Sequence, residues 1–119
     1  MQYLLLIYSN EEENAAMSDG ARKEMFGGYY AFNEHAKKNG NFVAGDALHS
    51  TSSAKTVRVR DGETTTTDGP FAETKEQLGG YYLVEAKDES EAIALAAKIP
   101  TAKQGCVEVR AIMNYELDG

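Results

Sequence analysis

TTTTDGPFAETKEQLGGYY, residues 64–82, begins as a run of β-forming threonines and enters a Gly-Pro turn. It leaves the turn as alternating charge and restarts as a strand on two glycines and two tyrosines. A plain hairpin needs only about two to five loop residues, yet Asp68, Glu73, Thr74, Lys75, Glu76 and Gln77 put six polar or charged residues in this connector. Two readings follow. Either the stretch is a rigid connector, in which Asp68 caps the turn, Phe71 plugs the core and Glu73, Lys75 and Glu76 are a solvated charge run, or it is a loop held over an open sheet face as part of a site.

Working outward on the N-terminal side, KTVRVR-DG-ETTTT reads as a β-hairpin turning at Asp61-Gly62, with positive φ expected at both turn residues. Before it, FVAGDALHS (42–50) alternates apolar and small residues as a strand does. The chain opens on QYLLLIYS (2–9), nearly continuous in hydrophobicity, the pattern of a central strand covered on both faces. Between these strands an acidic loop leads to Ser18 or Asp19 as helix cap, and Met25, Tyr29, Phe32 and Ala36 form one apolar stripe that Gly40 ends. Gly27 and Gly28 sit inside that helix. They predict a break or a close backbone approach, and the break is the expectation favoured here.

On the C-terminal side, LGGYYLVEA (78–86) is a strand, and Asp88 with Glu91 has the spacing of a helix-capping pair. Ala92, Leu95, Ala96 and Ile99 then make a narrow stripe suited to lying close on a sheet, and Pro100 ends the helix. In CVEVRAIMNY, Val107, Val109, Ala111 and Met113 face one way and Glu108, Arg110 and Ile112 the other. Strand, helix, strand, hairpin, strand, helix, strand describes one α+β domain over residues 1–119. The order is that of a ferredoxin-like sandwich with an inserted β-hairpin, helices on one sheet face and the other face open. Strand faces carrying Arg58, Arg60, Tyr81 or Tyr82, and Ile112 mix charge with apolar surface, as expected where two sheets meet across a homodimer.

A net charge of −7 without a basic cluster argues against nucleic acid or anionic membrane as partner. The short apolar N-terminal run meets three glutamates and fits neither a signal peptide nor a membrane span. Cys106, the lone cysteine, forms no internal disulfide and suits a reducing cytoplasm. No HExxH, CxxC, P-loop or dinucleotide pattern is present, so no metal or nucleotide cofactor is expected.

The run Asp68-Gly69-Pro70-Phe71-Ala72-Glu73-Thr74-Lys75-Glu76, continuing as Gln77-Leu78-Gly79-Gly80-Tyr81-Tyr82, resembles the signature of YCII-related proteins of the DGPF type. MQYLLLIY, GDAL, VRVRDG, KIP and VEVR are similar to the same family in order and spacing, so the resemblance covers essentially the whole chain. It implies a ferredoxin-like fold pairing as a dimeric α/β barrel in a bacterial cytoplasm. It implies little about a reaction. Some wider relatives use a His–Asp pair as acid and base, a pattern that neither His35 nor His49 matches clearly.

On the site reading, Asp68 and Glu73 are the candidate catalytic acid–base carboxylates, and Tyr8, Arg58, Pro70, Phe71, Lys75, Glu76 and Arg110 the candidate ligand-binding residues. Arg110 has an alternative role in an intra-sheet ion pair with Glu108. Tyr8, Tyr29, Tyr30, Tyr81 and Tyr82 supply phenols for a cavity between the first helix and the sheet. The expected function is a cytoplasmic homodimer binding a small polar or aromatic molecule in that cavity, gated by the DGPF segment. A non-enzymatic sensing or docking module for a transcription regulator is the alternative from another class.

Overall fold

The computed structural model describes residues 1–118. Strand β1 (Gln2–Ser9) is followed by a short helix α1 (Glu11–Ala15), the long helix α2 (Asp19–Lys38) and strand β2 (Phe42–Ala47). Next come β3 (Lys55–Arg60), β4 (Glu63–Asp68) and β5 (Gln77–Glu85), then α3 (Glu89–Ala96), β6 (Cys106–Ala111) and a terminal turn of helix, α4 (Tyr115–Asp118). Four strands form one antiparallel sheet in the order β2-β5-β1-β6, with β1 central as its hydrophobicity requires. This is the ferredoxin-like α+β arrangement.

Burial alternates along β1 with period two. Tyr3, Leu5 and Ile7 point to the helices, and register places Leu5 opposite Tyr82 and Val109 on the same face. They meet Phe32 and Ala36 of α2, Ala92, Leu95 and Ala96 of α3, and Ile99, in one core. Helix α2 starts where Ser18 Oγ accepts the amide of Ala21 at 3.1 Å, and α3 where Asp88 Oδ1 accepts that of Glu91 at 2.9 Å. Helix α2 is not broken at Gly27 and Gly28. A Cβ on Gly28 would lie 2.8 Å from Pro100 Cγ, so the residue is small because the chain end of α3 crosses it closely, and the expected break is corrected to a contact.

β3 and β4 do not join the main sheet. They pair only with each other, in a separate two-stranded arm turning at Asp61 (φ 51°) and Gly62 (φ 78°), both left-handed as the Asp-Gly turn requires. The expectation that Arg58 and Arg60 share a sheet face with Tyr81 or Tyr82 is therefore corrected, because both arginines lie on the arm. Val57 and Val59 are 60% and 58% exposed. The radius of gyration is 16.4 Å, against roughly 13–14 Å for a compact chain of this length, and the excess reflects the extended slab of 48 × 47 × 18 Å.

This geometry explains the long connector. Because β4 ends on the arm and β5 lies inside the main sheet, residues 69–76 carry the chain from one to the other. The segment is pinned at the arm, where the Gly69 amide donates to Ala54 O at 2.7 Å and Thr56 Oγ1 to Gly69 O at 2.8 Å. At its far end Asn10 Nδ2 donates to Lys75 O at 3.0 Å and Gln77 Nε2 to Thr74 O at 2.6 Å. Phe71 is 83% exposed, so its expected place in the core is corrected: it caps the outside of the connector.

An isolated two-stranded hairpin is marginally stable in water, so the arm should open independently of the core. Gly62→Val, which puts a β-branched residue at positive φ, should cost the arm at least about 1 kcal/mol. Amide exchange should quicken at residues 55–68 while protection in β1 and β5 stays unchanged. Uniform loss of protection across the sheet would show that the arm and core unfold as one unit.

Candidate functional site

Between α2 and the β2–β5 side of the sheet lies a cavity of about 600 Å³. Its apolar wall is Met25, Phe26, Tyr29, Phe42, Leu48 and Tyr82. The backbone forms its floor where glycines let strands approach. Register steps from Ile7↔Gly80 to Tyr8↔Leu78, leaving Gly79 in a β-bulge whose carbonyl accepts the amide of Leu48 at 2.9 Å. A Cβ on Gly80 would stand 2.9 Å from Asp46 O, so Gly80 is needed for this tight junction.

Tyr82 is the fixed point of the wall. Its ring packs 4.8 Å from that of Phe32 and 6.2 Å, edge-on, from Phe42, and its hydroxyl donates to Asn33 Oδ1 at 2.6 Å. Burial, with the Tyr29 phenol adding to it, pushes the Tyr82 hydroxyl up to about 12. It is a neutral donor throughout the physiological range. Burial also raises the Tyr29 hydroxyl, partly offset by its 2.6 Å hydrogen bond with Thr101 Oγ1.

The opposite end of the cavity is polar, lined by Ser9, Glu11, Asn14, Ser50 and Gln77. Asn14 Nδ2 donates to Ser9 Oγ at 2.7 Å, and the Glu11 amide donates to Gln77 Oε1 at 3.0 Å. Both carboxylate oxygens of Glu11 accept from Thr51, from its amide at 2.8 Å and from its hydroxyl at 2.5 Å. Glu11 and Gln77 also belong to the wall of a second chamber of about 370 Å³, lined further by Thr51, Ser52, Asp68, Gly69, Pro70, Glu73 and Thr74. The DGPF connector thus walls a second, polar chamber, an antechamber that shares Glu11 and Gln77 with the aromatic cavity.

A model of the YCII-related domain matches residues 1–116. The chain belongs to the YCII-related family. An uncharacterized protein of Rhizobium meliloti (strain 1021) is similar to it, with 34% identity over 118 residues that span 98% of this chain and 95% of the relative.

In this YCII-related chain the residues singled out from sequence fall into three places. Asp68, Pro70 and Glu73 line the antechamber together. Asp68 is engaged there by Lys55 Nζ at 2.7 Å, with 89% of its side chain exposed. Tyr8, Glu76 and Arg110 lie on or beside the open face of the sheet, away from the cavity. Tyr8 donates to Glu108 Oε1 at 3.3 Å, and Cys106 Sγ lies 3.8 Å from Glu76 Oε1. Burial and then the Glu108 carboxylate raise the Tyr8 hydroxyl, and burial with Glu76 raises the Cys106 thiol, which keeps that thiol protonated and weakly nucleophilic. Arg58, on the arm, and Phe71, outside the connector, complete the set without joining either group. Lys75 contributes its carbonyl to Asn10.

The expected Arg110–Glu108 ion pair does not form among the described residues. Residues two apart on one strand face stand about 7 Å apart, and nothing holds two solvated side chains together there. Of the tyrosines, Tyr29 and Tyr82 line the cavity with their rings, Tyr81 borders it while its ring lies on the open sheet face with Tyr8, and Tyr30 is exposed. His35 is hydrogen-bonded to Asn39 at its own helix end, and His49 is exposed. Among the described residues no group of three or more His, Cys, Asp or Glu is placed to hold a metal ion, and no helix is long and apolar enough to cross a membrane.

Glu11, Asn14 and Thr51 are not among the sequence candidates: the acidic loop expected over NEEEN is helix α1, and Thr51 reaches Glu11 only through the tertiary fold. A signal was there: Asn10 followed by three glutamates is an N-cap with an acidic first turn, and Asn10 Oδ1 does accept the Glu13 amide at 2.9 Å.

Proposed function

We propose that this protein binds a small, partly apolar molecule in the cavity between α2 and the sheet, with the DGPF connector forming its polar entrance. The supporting observation is the cavity itself, an aromatic wall facing a small set of convergent polar groups, which is the usual form of a small-molecule site. Asp68 and Glu73 act at the entrance, as groups that contact or exchange protons with a ligand's polar end. Screening fragments by tyrosine-selective and methyl NMR should move resonances of Tyr29, Tyr82, Met25 and Leu48. Asp68→Asn and Glu73→Gln should weaken retention of the bound fragment while leaving the melting temperature unchanged. Silence at those four residues for every fragment would end this reading.

The functional unit we propose is a cytoplasmic homodimer paired through the open sheet face. Leu4, Leu6 and Leu83 occupy adjacent positions on that face, beside Tyr8, Tyr81 and Arg110. An apolar centre rimmed by polar groups of this kind suits a self-complementary contact. Sedimentation at micromolar concentration should give the mass of two chains, and Leu6→Asp should give that of one. A wild-type monomer would overturn the pairing.

One observation favours a second reading, a docking module for a protein partner such as a transcription regulator. Phe71 stands 83% exposed on the connector, and solvent-facing aromatics are enriched as interface anchors. Phe71→Ala would then abolish partner binding and spare fragment binding.

A further inference from the structure

The two chambers share a charge character that narrows what can occupy them. Among the described residues no lysine, arginine or histidine lines either one, whereas the carboxylates of Glu11, Asp68 and Glu73 do; Asp46 borders the cavity, but its carboxylate lies with Tyr81 on the open sheet face. Of these three, Asp68 is already engaged by Lys55 at 2.7 Å. Glu11 is placed differently. It sits in the wall common to both chambers, and its two oxygens receive only neutral donors, the amide and hydroxyl of Thr51. Each carboxylate oxygen can accept more than one hydrogen bond, so Glu11 keeps acceptor capacity and a charge with no cationic partner in the wall between the aromatic cavity and the polar antechamber.

A ligand carboxylate or phosphate would meet Glu11 and Glu73, and two cations beside the chambers are already engaged, Lys55 by Asp68 and Lys37 over the Phe42 ring at 5.3 Å from its centroid. A protonated amine would meet the carboxylate of Glu11 at one end and the aromatic side chains of Phe26 and Tyr29 for its apolar body. Resting on the cavity reading above, we infer that the ligand class is a small amine with an aromatic or branched apolar body, its ammonium directed to Glu11 and the antechamber. The protein's net charge of −7 favours the approach of such a cation over an anion.

Three probes of nearly equal shape separate the possibilities: 2-phenylethylamine, 2-phenylethanol and phenylacetate, titrated at pH 7 while cavity resonances are followed by NMR. The amine should bind about tenfold more tightly than the alcohol, the scale of one favourable charge contact in a partly exposed site, and phenylacetate should bind most weakly. Added salt should weaken the amine alone. Glu11→Gln should remove the preference for the amine and leave the alcohol within about twofold. Because Glu11 also holds Thr51, Glu73→Gln serves as a second variant: it should shift amine affinity in the same direction by a smaller factor without touching that contact. Phenylacetate binding as tightly as the amine, or alcohol and amine binding alike, would overturn the amine assignment while leaving the cavity a binding site. Failure of all three probes to move Tyr29 or Tyr82 would overturn the cavity reading and this inference with it.

Discussion

Phe32→Ala is expected to lower the unfolding free energy by about 3–5 kcal/mol, a large share of the roughly 5–15 kcal/mol available to a domain of this size. Phe32 is buried at the centre of the helix–sheet contact, with its ring 4.8 Å from Tyr82. Truncation removes most of the ring's buried surface and leaves a void whose walls cannot fully collapse, because Tyr82 is held in place by Phe42 and by its hydrogen bond to Asn33. Urea unfolding should show a lower midpoint with an unchanged slope. The same truncation at Phe71, which is 83% exposed, should change stability by less than about 0.5 kcal/mol. A loss below about 1 kcal/mol at Phe32 would mean that the packing of α2 on the sheet is looser than described. The variant also bears on the site, since a freed Tyr82 would enlarge the cavity wall and weaken binding of any aromatic probe.

Gly105→Ala should be the most damaging methyl addition in the chain. A Cβ at that position would fall inside contact distance of the Tyr8 carbonyl oxygen and 3.1 Å from both Cα and Cβ of Ser9. These are mostly backbone atoms of the central strand, which cannot swing aside as a flexible side chain can. Overpacking of this kind costs about 1–3 kcal/mol, and the upper end is expected because relief requires parting β6 from β1 where Tyr8 faces Cys106. The consequence reaches the cavity, because Ser9 is the partner of Asn14 at its polar end. Thermal unfolding should show the stability loss, and amide exchange should quicken first at residues 106–109. Gly79→Ala is the control, with nothing within 4 Å of its Cβ. Equal effects at the two glycines would show that strand propensity, not the close approach, governs the loss.

Local chemistry made the elements legible. Periodicity placed the central strand, both main helices and their buried stripes, and Asp61-Gly62 and Asp88 announced a turn and a cap that the structure contains. Near-neighbour interactions decide such features, so a linear reading recovers them. Two of the features that differ from the sequence expectation are long-range. Whether Gly27-Gly28 breaks a helix or admits a crossing segment depends on Pro100, more than seventy residues away. Whether a Thr-rich strand joins the sheet depends on which edge the chain can reach, and an exposed hairpin satisfies the same alternating pattern with no partner sheet at all.

The candidate site divides in the same way. From the signature alone, Asp68, Pro70 and Glu73 could be grouped, and the fold keeps them in one chamber. Arg58, Tyr8 and Arg110 could not be sorted, because side chains alternate across a strand and a residue's neighbours are set by register and by which face the helices cover. Sequence by itself determined the family, the order of strands and helices, and the negative charge. Only the tertiary structure decided that the DGPF connector bridges an arm to the sheet, that Phe71 faces solvent, and that Glu11, Thr51 and Gln77 converge beside an aromatic cavity. Those outcomes depend on closing loops between residues 40 and 66 positions apart, a balance of loop entropy against packing to which no local pattern responds.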